Sequence, residues 1–124
     1  GKELWQLEPG PDAPIRINAA KVVTAIVDGV LAGVDRAVLT ARFHPAVADL
    51  ILRVCHAGRD KSQRETVGLS GGVFQNCLLL RLTRQRLEED GFRVLTHSVL
   101  PANDGGLALG QAVVARQRLA TRRL

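Results

Sequence analysis

Methionine and tyrosine are missing from this chain altogether, and a single tryptophan stands beside three phenylalanines. So few aromatic rings leave little on which nucleic-acid bases could stack. The balance of 17 lysines and arginines against 12 acids does give a net charge of +5, which attracts phosphate. Much of that excess, however, falls in Arg81, Arg84 and Arg86 and in Arg116, Arg118, Arg122 and Arg123, on segments read as helix surface where a solvated face is ordinary. Nucleic acid is therefore not expected as a main partner. Long apolar runs are also lacking, which leaves no candidate membrane-spanning helix, and no signal-peptide pattern is read at the start. Opening on Gly1 with no methionine, the 124 residues are expected to be one domain, or part of one, from a longer protein. An apolar fraction of 46% is that of a globular chain.

Cysteine occurs only as Cys55 and Cys77. Without a Cys-x-x-Cys pair or histidines at zinc-finger spacing, a structural zinc site is not expected. Both thiols are read as buried or half-buried, which fits a reducing, cytoplasmic setting. Cys77, near an expected helix start, has no base close in sequence and is taken as a small packing residue. Neither Gly-x-x-x-x-Gly-Lys-Ser/Thr nor Gly-x-Gly-x-x-Gly occurs, so P-loop and Rossmann readings fail. The histidines pair with nothing at helical spacing: His44 has Ala48 at i+4, and His56 has Asp60 beyond an expected helix stop.

Apolar periodicity supplies the elements. Leu4 to Leu7 reads as a strand, Glu8 to Pro14 as a loop, and Asn18 as the cap of a helix from Ala19 to about Leu31. Gly33 ends that helix, and Asp35 caps the next. Pro45 predicts a break or kink near His44, because proline fits only the first turn of a helix. From Phe43 onward, Val47, Leu50, Ile51, Val54 and Cys55 form a core-facing stripe that should stop at Gly58, before a charged loop over 59–64. Val67 to Leu69 reads as a strand, Phe74 to Asp90 as a helix, Phe92 to Leu95 as a strand and Gly105 to Leu119 as a helix. Strands separated by one helix in this way pair in parallel. Residues 1–18 thus lead into helices over 19–58 and a β-α-β-α unit over 66–119, an α/β fold.

Two glycine-bearing turns carry the chemistry. Thr66-Val67-Gly68-Leu69-Ser70-Gly71-Gly72-Val73-Phe74-Gln75-Asn76 and Leu100-Pro101-Ala102-Asn103-Asp104-Gly105-Gly106 each stop a strand at glycines and start a helix. Such turns gather bare backbone N–H groups at a helix N-terminus, a geometry that suits an anion such as phosphate. Two of them in one small chain, both rich in amide or carboxylate side chains, point to a shared site. Gln75 and Asn76 can donate and accept, which suits a ribose or an adenine edge; equally, they could cap and solvate the helix. Asp104 reads on spacing as an N-cap, while a carboxylate at such a turn can also hold a metal bound to phosphates.

At these residues the chain closely resembles the C-terminal part of the hydrogenase maturation carbamoyltransferases, the HypF family. The resemblance rests on Ser70-Gly71-Gly72-Val73-Phe74-Gln75-Asn76 with Leu78-Leu79, and on Pro101, Asn103-Asp104-Gly105-Gly106 and Ala108-Leu109-Gly110-Gln111-Ala112. The Ala41-Arg42-Phe43-His44 stretch also fits. It implies the C-terminal half-lobe of an actin-like (ASKHA-type) ATPase domain, similar to the tRNA threonylcarbamoyl-transferase. It also implies a chemistry in which carbamoyl phosphate and ATP give carbamoyl adenylate, whose carbamoyl group passes to the C-terminal cysteine of a HypE-type carrier protein.

Carried over by position, Ser70, Gly71 and Gly72 would contact nucleotide phosphates, Gln75 and Asn76 would hold the adenosine, and Asp104 would be a metal ligand, with magnesium, iron and zinc all open. The family's paired metal histidines and its further domains lie outside these motifs, so the 124 residues alone are expected to bind nucleotide without catalysing transfer. Two rivals remain. One is an O-carbamoyltransferase or tRNA-modifying relative, against which Gly-Gly-Val-Phe-Gln-Asn argues. The other is a non-catalytic module that docks the carrier through a helical face.

Overall fold

The computed structural model describes residues 5–8 and 15–121. Leu4, residues 9–14 of the loop expected over Glu8 to Pro14, and Arg122 and Arg123 lie outside them. Strand β1 (Gln6–Glu8) pairs antiparallel with β2 (Arg16–Asn18), with Leu7 opposite Ile17. Trp5 fastens this hairpin to the body: its ring is buried and its Nε1 donates to the Ala46 carbonyl at 2.8 Å. Helix α1 (Ala20–Leu31) follows, with the Asn18 side chain accepting from Ala20 N–H at 2.9 Å.

Helix α2 (Arg36–Ser62) starts where Asp35 Oδ1 accepts from Ala37 N–H, and it then runs without interruption through Pro45 and past Gly58. The break expected at His44 and the stop expected at Gly58 are both absent. Proline there removes one helical hydrogen bond, to the Ala41 carbonyl. Tertiary bonds hold the weakened turn: Arg86 Nη1 donates to the Pro45 carbonyl at 2.9 Å, and the Trp5 indole holds the next carbonyl. At the other end Arg59 is anchored to Asp90, Ser62 Oγ donates to the Gly58 carbonyl, and Gln63, in the left-handed conformation at φ 55°, ends the helix.

The rest is one parallel unit. Strand β3 (Thr66–Leu69) leads through a 3₁₀ turn (Gly72–Gln75) into α3 (Cys77–Glu89), and then into β4 (Arg93–Thr96), a 3₁₀ turn (Asp104–Gly106) and α4 (Leu107–Thr121). β3 and β4 pair in parallel, Val67 opposite Val94 and Leu69 opposite Thr96, as strands joined by one helix should. Leu69, Leu87 and Phe92 are buried at the centre, with Ile51, Leu52 and Cys55 of α2 packed against them. Of the stripe expected on α2, Ile51 and Cys55 pack on this core, while Val47, Leu50 and Val54 are half-buried and Phe43 is exposed. Burial pushes the Cys55 thiol up from its ordinary value, whereas Cys77 is exposed, contrary to the expected packing role. In α3 the face of Leu79, Thr83 and Leu87, spaced by four, is buried. α4 has no buried residue.

Candidate functional site

The site lies where β3 and β4 end. Leaving β3, Ser70 is exposed, and its hydroxyl lies 2.9 Å from His97 Nε2, one residue past the end of β4. Gly71 then adopts φ 108° and ψ 155°, a region that side-chain-bearing residues scarcely enter. That conformation aims its N–H at the Ala102 carbonyl, 2.8 Å away, and so ties the first glycine turn to the second. A Cβ on Gly72 would lie 4.0 Å from that of Asn103.

The second turn closes on itself. Asn103 Oδ1 accepts from Gly105 N–H at 3.0 Å, and the Asn103 carbonyl accepts from Gly106 N–H at 3.1 Å. A Cβ on Gly106 would sit 3.1 Å from the Pro101 carbonyl oxygen, so a side chain there would require the turn to give by a few tenths of an ångström. The capping residue is therefore Asn103 and not Asp104, because the residue before the turn, in extended conformation, is the one whose side chain reaches the free N–H groups. Asp104 is exposed, and its carboxylate has no hydrogen bond or ion pair among the described residues.

Between these turns and one face of α4 lies a cleft of about 680 Å³. Ser70, Gly71, Asn103, Asp104 and Gly106 line it from the turns, His97 and Leu100 from beyond β4, and Gly110, Gln111, Val114 and Arg118 from α4. Of the residues singled out from the sequence, Ser70, Gly71 and Asp104 thus come together in one cleft. Gly72, Gln75 and Asn76 do not line it. Gln75 is exposed, and its carbonyl lies 3.7 Å from Cys77 Sγ. Asn76 caps α3, its Oδ1 accepting from Leu79 N–H at 3.1 Å, while its Nδ2 lies 2.8 Å from His44 Nε2.

Sequence reasoning passed over His97 and His44, having looked only for metal-binding pairs. The available signal was position: one ends the second strand before a glycine turn, the other lies in the Ala41–His44 stretch that precedes Pro45. Among the described residues no group of three or more His, Cys, Asp or Glu side chains could hold a metal. The donor set at Asp104, one free carboxylate in a cleft, fits a divalent ion shared with ligand phosphates rather than a site closed by protein alone.

Open α/β sheets bind ligands in the crevice at the carboxyl ends of their strands, and this cleft stands there. The fold and its paired glycine turns are those of a half-lobe of an actin-like ATPase domain. More particularly, residues 4–111 match the family described as carbamoyltransferase, Kae1-like domain, second subdomain, and the chain belongs to that family.

The chain is 47% identical over 81 residues to the carbamoyltransferase HypF of Rhodobacter capsulatus, which covers 65% of this chain and 10% of that protein. It is 36% identical over 110 residues to carbamoyltransferase HypF2 of Cupriavidus necator, covering 87% of this chain and 14% of the relative. A crystal structure of full-length HypF in its phosphate- and nucleotide-bound form superimposes with a TM-score of 0.86 at 31% identity, over 93% of this chain and 15% of that one. The chain therefore spans a small part of the length of the relatives it matches. No helix among the described residues is long and apolar enough to cross a membrane.

Proposed function

We propose that this chain is the nucleotide-holding subdomain of a carbamoyltransferase that acts in nickel–iron hydrogenase maturation. The observation that carries the reading is the joined pair of glycine turns at one cleft, in a chain that superimposes on a nucleotide- and phosphate-bound HypF. ATP is the ligand of the cleft. Ser70 and the turn at Gly71 and Gly72 face its phosphates; the Gly71 N–H is itself taken by the Ala102 carbonyl, so Gly71 shapes the turn and the neighbouring N–H dipoles offset negative charge. Gln75 and Asn76, which lie outside the lining of the cleft, hold the adenosine where it extends beyond it, through their amides. Asp104 holds a divalent cation, magnesium in the simplest case, and that ion supplies charge neutralisation at the phosphoryl group.

In the complete protein the remaining subdomains bring carbamoyl phosphate. The carbamoyl adenylate so formed passes its carbamoyl group to the C-terminal cysteine of a HypE-type carrier, a C–S bond replacing the C–O bond to the adenylate as AMP leaves and the thiol gives up its proton. No side chain of this chain is assigned a proton-transfer or nucleophilic step; its work is to bind and orient the nucleotide. A chimera tests this, in which residues 4–111 replace the corresponding segment of the Rhodobacter capsulatus HypF. ATP- and carbamoyl-phosphate-dependent carbamoylation of the carrier is expected. A folded chimera without that activity would contradict the reading.

A second reading, a docking module, draws support from the apolar side chains exposed on α1 and α4, among them Val27, Leu31, Val113 and Leu119. Carrier binding by this chain without ATP, unchanged in Asn76→Ala, would favour it.

A further inference from the structure

Asn76 sits between two partners that together permit only one arrangement of protons. Its carboxamide meets Leu79 N–H at 3.1 Å on one side and His44 Nε2 at 2.8 Å on the other, while His44 Nδ1 lies 3.0 Å from the Thr40 carbonyl. A backbone N–H can only donate, so the atom facing Leu79 is Oδ1, and Nδ2 faces the imidazole. His44 Nε2 must then accept. The ring proton is left on Nδ1, where the Thr40 carbonyl, which can only accept, receives it. The inverted amide would set two donors against each other at Leu79. The other imidazole tautomer would set two acceptors against each other at Thr40 and two donors at Asn76. A ring proton on Nδ1, with Nε2 accepting, satisfies every partner in this series of bonds.

We propose that His44 is a positioning residue: through this tautomer it fixes the orientation of the Asn76 carboxamide and couples α2 to the glycine turn before α3. With Oδ1 committed to Leu79 and one Nδ2 hydrogen to His44, Asn76 presents to a ligand one remaining amide hydrogen and one remaining oxygen lone pair, in known positions. A donor and an acceptor held side by side match a ribose hydroxyl pair or a purine edge. This use of Asn76 rests on the nucleotide reading above; the assignment of His44 does not.

The test is nitrogen-resolved NMR of the whole chain without nucleotide, followed by titration with magnesium-ATP. His44 Nε2 is expected to resonate as an unprotonated, pyridine-type nitrogen and Nδ1 as a protonated, pyrrole-type one. Asn76→Asp keeps the capping oxygen but loses the donor, and it should remove this signature without His44 being touched. His44→Ala should speed exchange of the Leu79 amide and weaken magnesium-ATP about fivefold. His44→Gln, whose side-chain oxygen can accept from Nδ2, should restore both. A pyrrole-type Nε2 in the unaltered chain, or a His44→Gln variant as impaired as His44→Ala, would overturn the proposal. The pyridine-type signature with no nucleotide response at Asn76 would instead sustain His44 as the positioning residue and sink the nucleotide reading.

Discussion

Gly71 donates its backbone N–H to the carbonyl of Ala102 across 2.8 Å, and this single bond makes one site of two turns that are far apart in sequence. It is available only because Gly71 stands at φ 108°, where a Cβ is strained by its own backbone. Among the described residues other than its chain neighbours, no heavy atom lies within 4 Å of where that Cβ would be. The constraint is therefore conformational and not one of space.

Gly71→Ala should accordingly destabilise the chain by about 1–3 kcal/mol, while Gly72→Ala, with its Cβ at ordinary contact distance from Asn103, should cost less than about 1 kcal/mol. Urea unfolding followed by circular dichroism compares them. Equal costs would mean that the strained conformation of Gly71 does not matter to the joined turns.

Asn103 and Asp104 should separate cleanly. Asn103→Ala removes the cap on Gly105 N–H and should cost about 1 kcal/mol. Asp104→Asn removes a carboxylate with no partner among the described residues and should alter stability by less than about 0.5 kcal/mol. Isothermal titration should show the reverse order for magnesium-dependent nucleotide binding, which Asp104→Asn abolishes and Asn103→Ala only weakens.

Thr83 is fully buried on α3, and its hydroxyl has no hydrogen-bond partner among the described residues. Replacing an unsatisfied buried hydroxyl by a methyl group of similar size removes a desolvation cost, so Thr83→Val should raise stability by about 1 kcal/mol. A lower urea midpoint in that variant would show that the hydroxyl is satisfied in solution.

At the opposite end of α3, Asp90 joins α2 to α3. His56 Nε2 and Arg59 Nη2 both meet its Oδ2, and the Arg59 guanidinium also lies 4.3 Å from the centre of the Phe92 ring. The His56 hydrogen bond foremost, and then that of Arg59, holds the Asp90 carboxyl below its ordinary value against the opposing effect of partial burial. A carboxyl depressed in the folded state contributes stability above its unfolded value of about 4, and that contribution is lost as pH falls through the lower folded value. Asp90→Asn should therefore be less stable than the unaltered chain at pH 7, and the gap should close on acidification below about pH 4. Urea midpoints between neutral and strongly acid pH measure it, and a gap that widens in acid would reverse the sign.

What was legible in the sequence was local. Asn18, Asp35 and Asn76 each satisfy an N–H two or three residues ahead, a relation that spacing alone displays. Pro45 and Gly58 misled because the bonds that carry α2 through them come from Trp5, Arg86 and Asp90, remote in sequence and invisible to periodicity. Asp104 was read as a cap because both it and Asn103 have capping side chains; only the backbone, extended at Asn103, distinguishes them. The pairing of the glycine turns was legible as an expectation of one shared site. The α4 wall of the cleft was not, because Gln111 and Arg118 look on paper like any polar helix surface.

The central claim, that the joined turns form a nucleotide site, is tested most directly by an amide-resolved NMR titration of this chain with magnesium-ATP. The account predicts saturable shifts at Ser70, Gly71, Asn76 and Asp104, with the magnesium-dependent part lost in Asp104→Asn. Shifts confined to α1 and α2, or none at millimolar nucleotide while the amides of both turns stay resolved, would contradict it.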